Sequence, residues 1–172
     1  MDTIFKAMPA TMHFLSKKDT KDLLGMVLKQ YPNMANLLKQ KEKWMLIRFE
    51  GGVAYATGGK ALFLEIDGNL IPTFYALKSY DFKLPKVIVD EGAVPHILNG
   101  ADVLRPGIRE VQGSFEANEV VVVVEEKHGV PIAVGNALIP WSAAVNAKRG
   151  KVVKVLHYVG DPVWKALNAS KL

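Results

Sequence analysis

The chain has 172 residues, of which 49% are hydrophobic and 23% charged; it carries no cysteine and a formal net charge of +5. This composition suits one large or two small globular domains and excludes disorder as the main state, disulfides, thiol catalysis and cysteine-ligated zinc. No apolar run approaches the roughly 18–20 residues that cross a bilayer, and no basic-then-apolar leader opens the chain, so no membrane association and a cytoplasmic location are expected.

Charge is unevenly spread. Residues 1–84 hold twelve Lys and Arg against eight Asp and Glu; residues 85–172 hold ten against nine. A basic balance permits attraction to polyanions. In the second half, any such attraction must come from a local patch.

Taken in chain order, the first 84 residues predict an α+β unit. Ser16-Lys17-Lys18-Asp19 resembles a capping box, with Asp in place of the usual Glu or Gln. Leu23, Leu24, Val27, Leu28 and Tyr31 follow at helical spacing, and Pro32 closes the helix. Asn33 suits the cap of a shorter helix carrying Leu37 and Leu38, and Lys39-Gln40-Lys41-Glu42-Lys43 suits a solvated connector. Strands are expected over residues 44–50, 53–57 and 61–66, joined by turns at Gly51-Gly52 and Gly58-Gly59. Asp67-Gly68 is a further hairpin signal, after which residues 70–75 continue the sheet or turn into a short helix.

A boundary is expected at Lys83-Leu84-Pro85, dividing the chain into residues 1–84 and 85–172. A strand over residues 86–89 leads to a short helix starting near Asp90, with Pro95 in its first turn and Asn99-Gly100 at its end. Strands are then expected over residues 108–112, 119–125, 130–138 and 152–158, with Lys127-His128-Gly129 as a hairpin turn. A helix over residues 142–147, with Ser142 as its cap, interrupts them, and Asp161-Pro162 caps a last turn through Trp164. Five or six short strands predict a small closed or nearly closed barrel.

The segment of most functional interest is Asn99-Gly100-Ala101-Asp102-Val103-Leu104-Arg105-Pro106-Gly107-Ile108. Gly100 and Gly107 let a ligand backbone come close. Pro106-Gly107 suits a type II turn, and such turns present backbone N–H groups to anions. Arg105 and Arg109 flank the turn and suit phosphate. A plain helix cap followed by an ordinary turn is the alternative. Lys148, Arg149 and Lys151 put three cations within four residues, to meet phosphates or as a solvated helix end. On the last strand, alternation places Lys154 with Leu156 and Tyr158, and His157 with Val153 and Val155. Asp102 suits either a loop-orienting role or contact with a base.

The ordered set Val89-Asp90-x-Gly92-Ala93-Val94, Gly100-Ala101-Asp102-Val103-Leu104-x-Pro106-Gly107-Ile108, Pro131-Ile132-Ala133-Val134-Gly135-x-Ala137, Gly150-Lys151 and His157-Tyr158-x-x-Asp161-x-x-Trp164 resembles the PUA domain. That resemblance implies a C-terminal β-barrel that binds structured RNA through the loop after its first helix and along its last strand. With the flanking cations read above, the candidate RNA-binding residues are Gly100, Ala101, Arg105, Pro106, Gly107 and Ile108 in the loop, Lys154 and Tyr158 on the last strand, and Arg109, Lys148, Arg149 and Lys151 from the local charge. Ile71-Pro72-Thr73-x4-Lys78-Ser79-Tyr80 followed by Leu84-Pro85 is similar to the junction of the malignant T-cell amplified sequence family, which joins a pre-PUA domain to a PUA domain. This likeness implies work in translation initiation or recycling, on tRNA or rRNA at the small ribosomal subunit, alongside a separate initiator-factor-like protein. The alternative is a protein-interaction or accessory module for an RNA-modifying enzyme.

No catalysis is expected. The 84 residues ahead of the barrel are too few for a pseudouridine synthase or transglycosylase core. His13, His96, His128 and His157 form no tight metal spacing, with His96 expected on a helix surface and His128 in a hairpin turn. The paired glycines form neither a dinucleotide nor a phosphate-loop fingerprint. Ser142 lacks an evident base. Neither metal nor cofactor is expected.

Overall fold

The computed structural model describes residues 11–36 and 43–169. The expected positions of Leu37, Leu38 and most of the lysine-rich connector lie outside them. Two compact units emerge, one of Met1–Lys83 together with the chain from Ala166 onward, the other Leu84–Lys165.

The first unit is built on an antiparallel meander, β1 (Thr11–Phe14), β2 (Trp44–Phe49), β3 (Gly52–Thr57), β4 (Lys60–Ile66) and β5 (Asn69–Pro72), paired in sequence order. Between β1 and β2 runs α1 (Lys17–Gln30). Ser16 caps it as expected, accepting from the Asp19 N–H at 3.0 Å and donating to the Asp19 carboxylate at 2.7 Å. Leu23, Val27 and Tyr31 bury the apolar face, but Leu28 is exposed, so the expected stripe is narrower than its spacing suggests. Pro32 opens a 3-10 turn, Pro32–Met34. Asn33 fastens it by donating to the Asp81 carbonyl. Tyr31 donates to the Leu70 carbonyl at 2.6 Å, and burial pushes its phenol well above its ordinary pKa. Its ring meets Phe63 and Phe82 at 6.1 and 5.3 Å, giving the unit an aromatic centre. After β5, Thr73 caps the short α2 (Phe74–Ser79), so both readings of residues 70–75 hold in succession.

The second unit is a six-stranded sheet. Its strands are β6 (Lys86–Val89), β7 (Val103–Leu104), β8 (Ile108–Gln112), β9 (Val120–Glu125), β10 (Pro131–Ala137) and β11 (Lys151–Tyr158), ordered β7-β11-β10-β9-β6-β8. Among these strands, only β6 and β9 pair in parallel. The valine run Val120–Val124 is buried on both faces of the sheet, which is why it reads as continuous rather than alternating. Val121 and Val123 join Val87, Val89, Ile97, Ile108, Phe115 and Val153 in the core, where each buried side chain contributes about 1.5–3 kcal/mol. Two short helices, α3 (Val94–Ile97) and α4 (Trp141–Ala144), lie within this unit, and α5 (Pro162–Ala169) starts in it and runs beyond the expected single turn, past Lys165 where the unit ends. Ser142 does not cap α4; Pro140 holds that position, with no side-chain hydrogen bond. Although consecutive in the chain, β7 and β8 occupy opposite ends of the sheet, and the 3-10 turn Arg105–Gly107 alone joins them. Three residues span at most ~14 Å, so the sheet curls toward closure as expected.

The β9–β10 hairpin is tied by Glu125, whose carboxylate accepts from the N–H groups of Lys127, His128 and Val130 at 2.7, 2.8 and 3.1 Å. Desolvation opposes ionisation of this carboxyl, but those N–H bonds outweigh it and hold its pKa below the ordinary value. A pKa depressed by folding stabilises the turn above the unfolded value of about 4.3, and that stability is lost as pH falls through the folded value. Amide exchange at residues 127–130 is therefore expected to rise more steeply in acid than in Glu125→Gln, whose turn lacks the titrating group. Equal pH profiles would show that the carboxylate does not hold the turn.

Candidate functional site

A cleft of about 410 Å³ opens in the second unit between α3 and the loop that follows it, lined by Asp90, Ala93, His96, Asp102, Pro106 and Gly107 among others. Its frame is backbone hydrogen bonding. Asp90 starts the helical turn by accepting from the Ala93 N–H at 2.8 Å, and its own N–H donates to the Gly107 carbonyl at 2.9 Å. At the far end of α3, the N–H groups of Gly100 and Ala101 donate to the carbonyls of Ile97 and His96, both at 3.0 Å. Gly100 closes the helix with φ +92°, and a Cβ there would lie 3.5 Å from the Tyr158 ring.

Gly107 corrects the expected type II turn. The segment is a 3-10 turn, and Gly107 is not among the glycines with positive φ. Glycine is needed there for space: a Cβ would sit 3.0 Å from the Ala93 Cβ.

The last strand also departs from expectation. Gly135 pairs with Val155 and Val134 with His157, so Leu156 is an extra residue in a bulge. The bulge shifts the alternation by one. Tyr158 faces the core with Val153 and Val155, while His157 shares the face of Lys154. His157 is buried there, its Nδ1 2.6 Å from the Asp161 carboxylate.

Among the residues marked from sequence, Ala101, Pro106 and Gly107 line the cleft, and Gly100, one position before Ala101, lies against Tyr158. Lys148 and Arg149 are exposed on the segment before β11, which lies against the loop because the Arg105 N–H donates to the Gly150 carbonyl at 2.8 Å. Lys151 reaches Asp102 at 3.2 Å, and the other Asp102 oxygen accepts from the Val155 N–H at 3.1 Å. Both oxygens of Asp102 are thus engaged in fastening the loop to β11. Lys154 is exposed on β11. Three marked residues do not turn toward the cleft. The Ile108 side chain lies in the core. Arg109 points to Glu126 and Asp90, 3.7 and 4.0 Å away. The Arg105 guanidinium turns back onto α4. Sequence reasoning missed Trp141, placed His96 no further than a helix surface, and set Asp90 at the start of the helix without giving it a part in the site. For Asp90 a signal was present, an Asp three residues ahead of the N–H it receives.

Comparison with known proteins adds an independent finding. Residues 85–159 match the PUA domain and residues 8–80 the pre-PUA-like domain. An uncharacterised protein of Methanocaldococcus jannaschii is 35% identical over 88% of this chain and 94% of its own length. Translation machinery-associated protein 20 of Saccharomyces cerevisiae is 26% identical over 83% of this chain and 84% of its own. The crystal structure of a hypothetical protein from Pyrococcus horikoshii superposes with a TM-score of 0.77 at 34% identity, covering 91% of this chain and 99% of that one.

Proposed function

Because the chain belongs to the family in which a pre-PUA-like domain precedes a PUA domain, we propose that it is a non-enzymatic RNA-binding protein acting in translation initiation or recycling. Its proposed ligands are tRNA or rRNA at the small ribosomal subunit, and its proposed protein partner is a separate initiator-factor-like protein. Translation is suggested by the named yeast relative, and RNA by the PUA domain. One observation carries the reading: the exposed glycine-framed cleft has a cationic segment, Lys148 to Lys151, held against its loop.

Gly100, Ala101, Pro106 and Gly107 then offer shape, Lys148, Arg149, Lys151 and Lys154 offer charge, and Tyr158 offers a ring edge beside Gly100. Arg109 would reach phosphate by leaving its carboxylate neighbours. The cleft carboxylates do not favour catalysis. Asp90 is tied to the Ala93 N–H and Asp102 to Val155 and Lys151, so neither stands ready as a base.

The test is binding of tRNA and small-subunit rRNA fragments over a salt series. Replacing Lys148, Arg149 and Lys151 together by Ala should lower the log–log salt slope by roughly 2–3, at about 0.7–0.9 for each phosphate that is no longer neutralised. A wild-type affinity no greater than for a generic polyanion, with the slope unmoved in the triple variant, would sink the proposal.

A further inference from the structure

The sequence marks Arg105 as a phosphate ligand, yet three of the five N–H donors of its guanidinium are engaged by carbonyls of the protein itself. Nε donates to the Ala144 carbonyl at 2.8 Å, Nη1 to the Ile108 carbonyl at 3.3 Å and Nη2 to the Val145 carbonyl at 3.4 Å. The carbonyls of Ala144 and Val145 lie at the C-terminal end of α4, where a cation is favoured, and the Ala144 carbonyl also accepts from the Ala147 N–H at 3.1 Å. The guanidinium carbon lies 5.5 Å from the centre of the Trp141 ring, and that ring packs 6.0 Å from buried Phe115. The backbone of the same residue is fixed on both sides, by its N–H to Gly150 and by its carbonyl accepting from the Ile108 N–H. The side chain therefore leaves the cleft-lining turn and locks it to α4 and, through Trp141, to the core.

We infer that Arg105 is a positioning residue: it holds the Arg105–Gly107 turn in the shape that meets RNA and does not itself touch the nucleic acid. This rests on the RNA-binding reading proposed for the cleft. A planar fork reaching three carbonyls is geometry that Lys cannot reproduce, since an ammonium is a point donor on a flexible stem.

The experiment compares wild type, Arg105→Ala and Arg105→Lys by two readouts. Amide exchange over residues 99–108 should quicken about tenfold or more in both variants, because local protection reports local opening. RNA affinity should fall in both, while the log–log salt slope stays within about 0.3 of wild type, since no phosphate loses its cation. A direct phosphate ligand gives the opposite pattern: exchange unchanged, the slope reduced by about 0.7–0.9 in Arg105→Ala, and affinity largely restored in Arg105→Lys. That pattern overturns the inference, as does unchanged exchange alone. If Arg105→Ala fails to fold, the charge-conserving variant decides. If the wild type binds no RNA, the functional reading fails by itself, and the exchange measurements still decide whether Arg105 locks the turn.

Discussion

Gly135→Ala should lower the thermal midpoint of the second unit by roughly 12–24 °C, from a loss of about 3 kcal/mol at about 4–8 °C per kcal/mol for a unit of this size. A Cβ at this position would lie 2.1 Å from the Lys154 carbonyl oxygen, 2.9 Å from Val153 Cγ1 and 3.0 Å from the Lys154 carbonyl carbon. Two of those atoms are backbone of the neighbouring strand, so no rotamer change relieves the clash. β10 and β11 must part where the bulge already interrupts their register. The control is Gly25→Ala in α1, where no atom lies within 4 Å of the new methyl group. There the helical preference of Ala over Gly predicts a change of zero to about 1 kcal/mol in the stabilising direction. Circular dichroism melts of the two variants check both; a midpoint for Gly135→Ala equal to wild type would mean that the strands are spaced more loosely than described.

Asp161→Ala should cost about 3–5 kcal/mol, read as a lower urea midpoint at an unchanged slope. Its carboxylate serves three partners at once. Oδ2 lies 2.6 Å from His157 Nδ1 and accepts from the Tyr158 N–H at 3.0 Å, and Oδ1 accepts from the Trp164 N–H at 2.7 Å. His157 and Asp161 are 1% and 5% exposed, so water cannot readily take the carboxylate's place. Asp161→Asn keeps one acceptor oxygen and should lose less. Equal losses in the two variants would assign the effect to the charge rather than to the number of acceptors.

The local order of the chain is well written in its residues. The strand at Val120–Glu125 follows from a β-branched run between turns, and the α1 cap from Ser16 and Asp19. β1 escapes such reading because all four of its residues are exposed, leaving no alternation to detect. The two-residue β7 is too short for a pattern and exists only because β11 pairs with it. The candidate site is legible as a segment but not as a surface. The face of Tyr158 depends on one extra residue, Leu156, whose bulge is set by the partner strand. The direction of Arg105 depends on carbonyls of Ala144 and Val145, about forty positions away in the chain. Both are tertiary decisions that neither spacing nor local propensity encodes.

The placement of β7 and β8 at the two ends of one sheet has a mechanical consequence. A sheet's edges are ordinarily closed by hydrogen bonds or left open. Here three residues, Arg105–Gly107, rivet one edge to the other through covalent chain. The gap between the strand ends it joins can be no wider than the ~14 Å that such a rivet spans, while the girth follows from the number and stagger of the strands. Whatever grips the turn from outside takes hold of both edges together, so its pull is shared around the whole circumference.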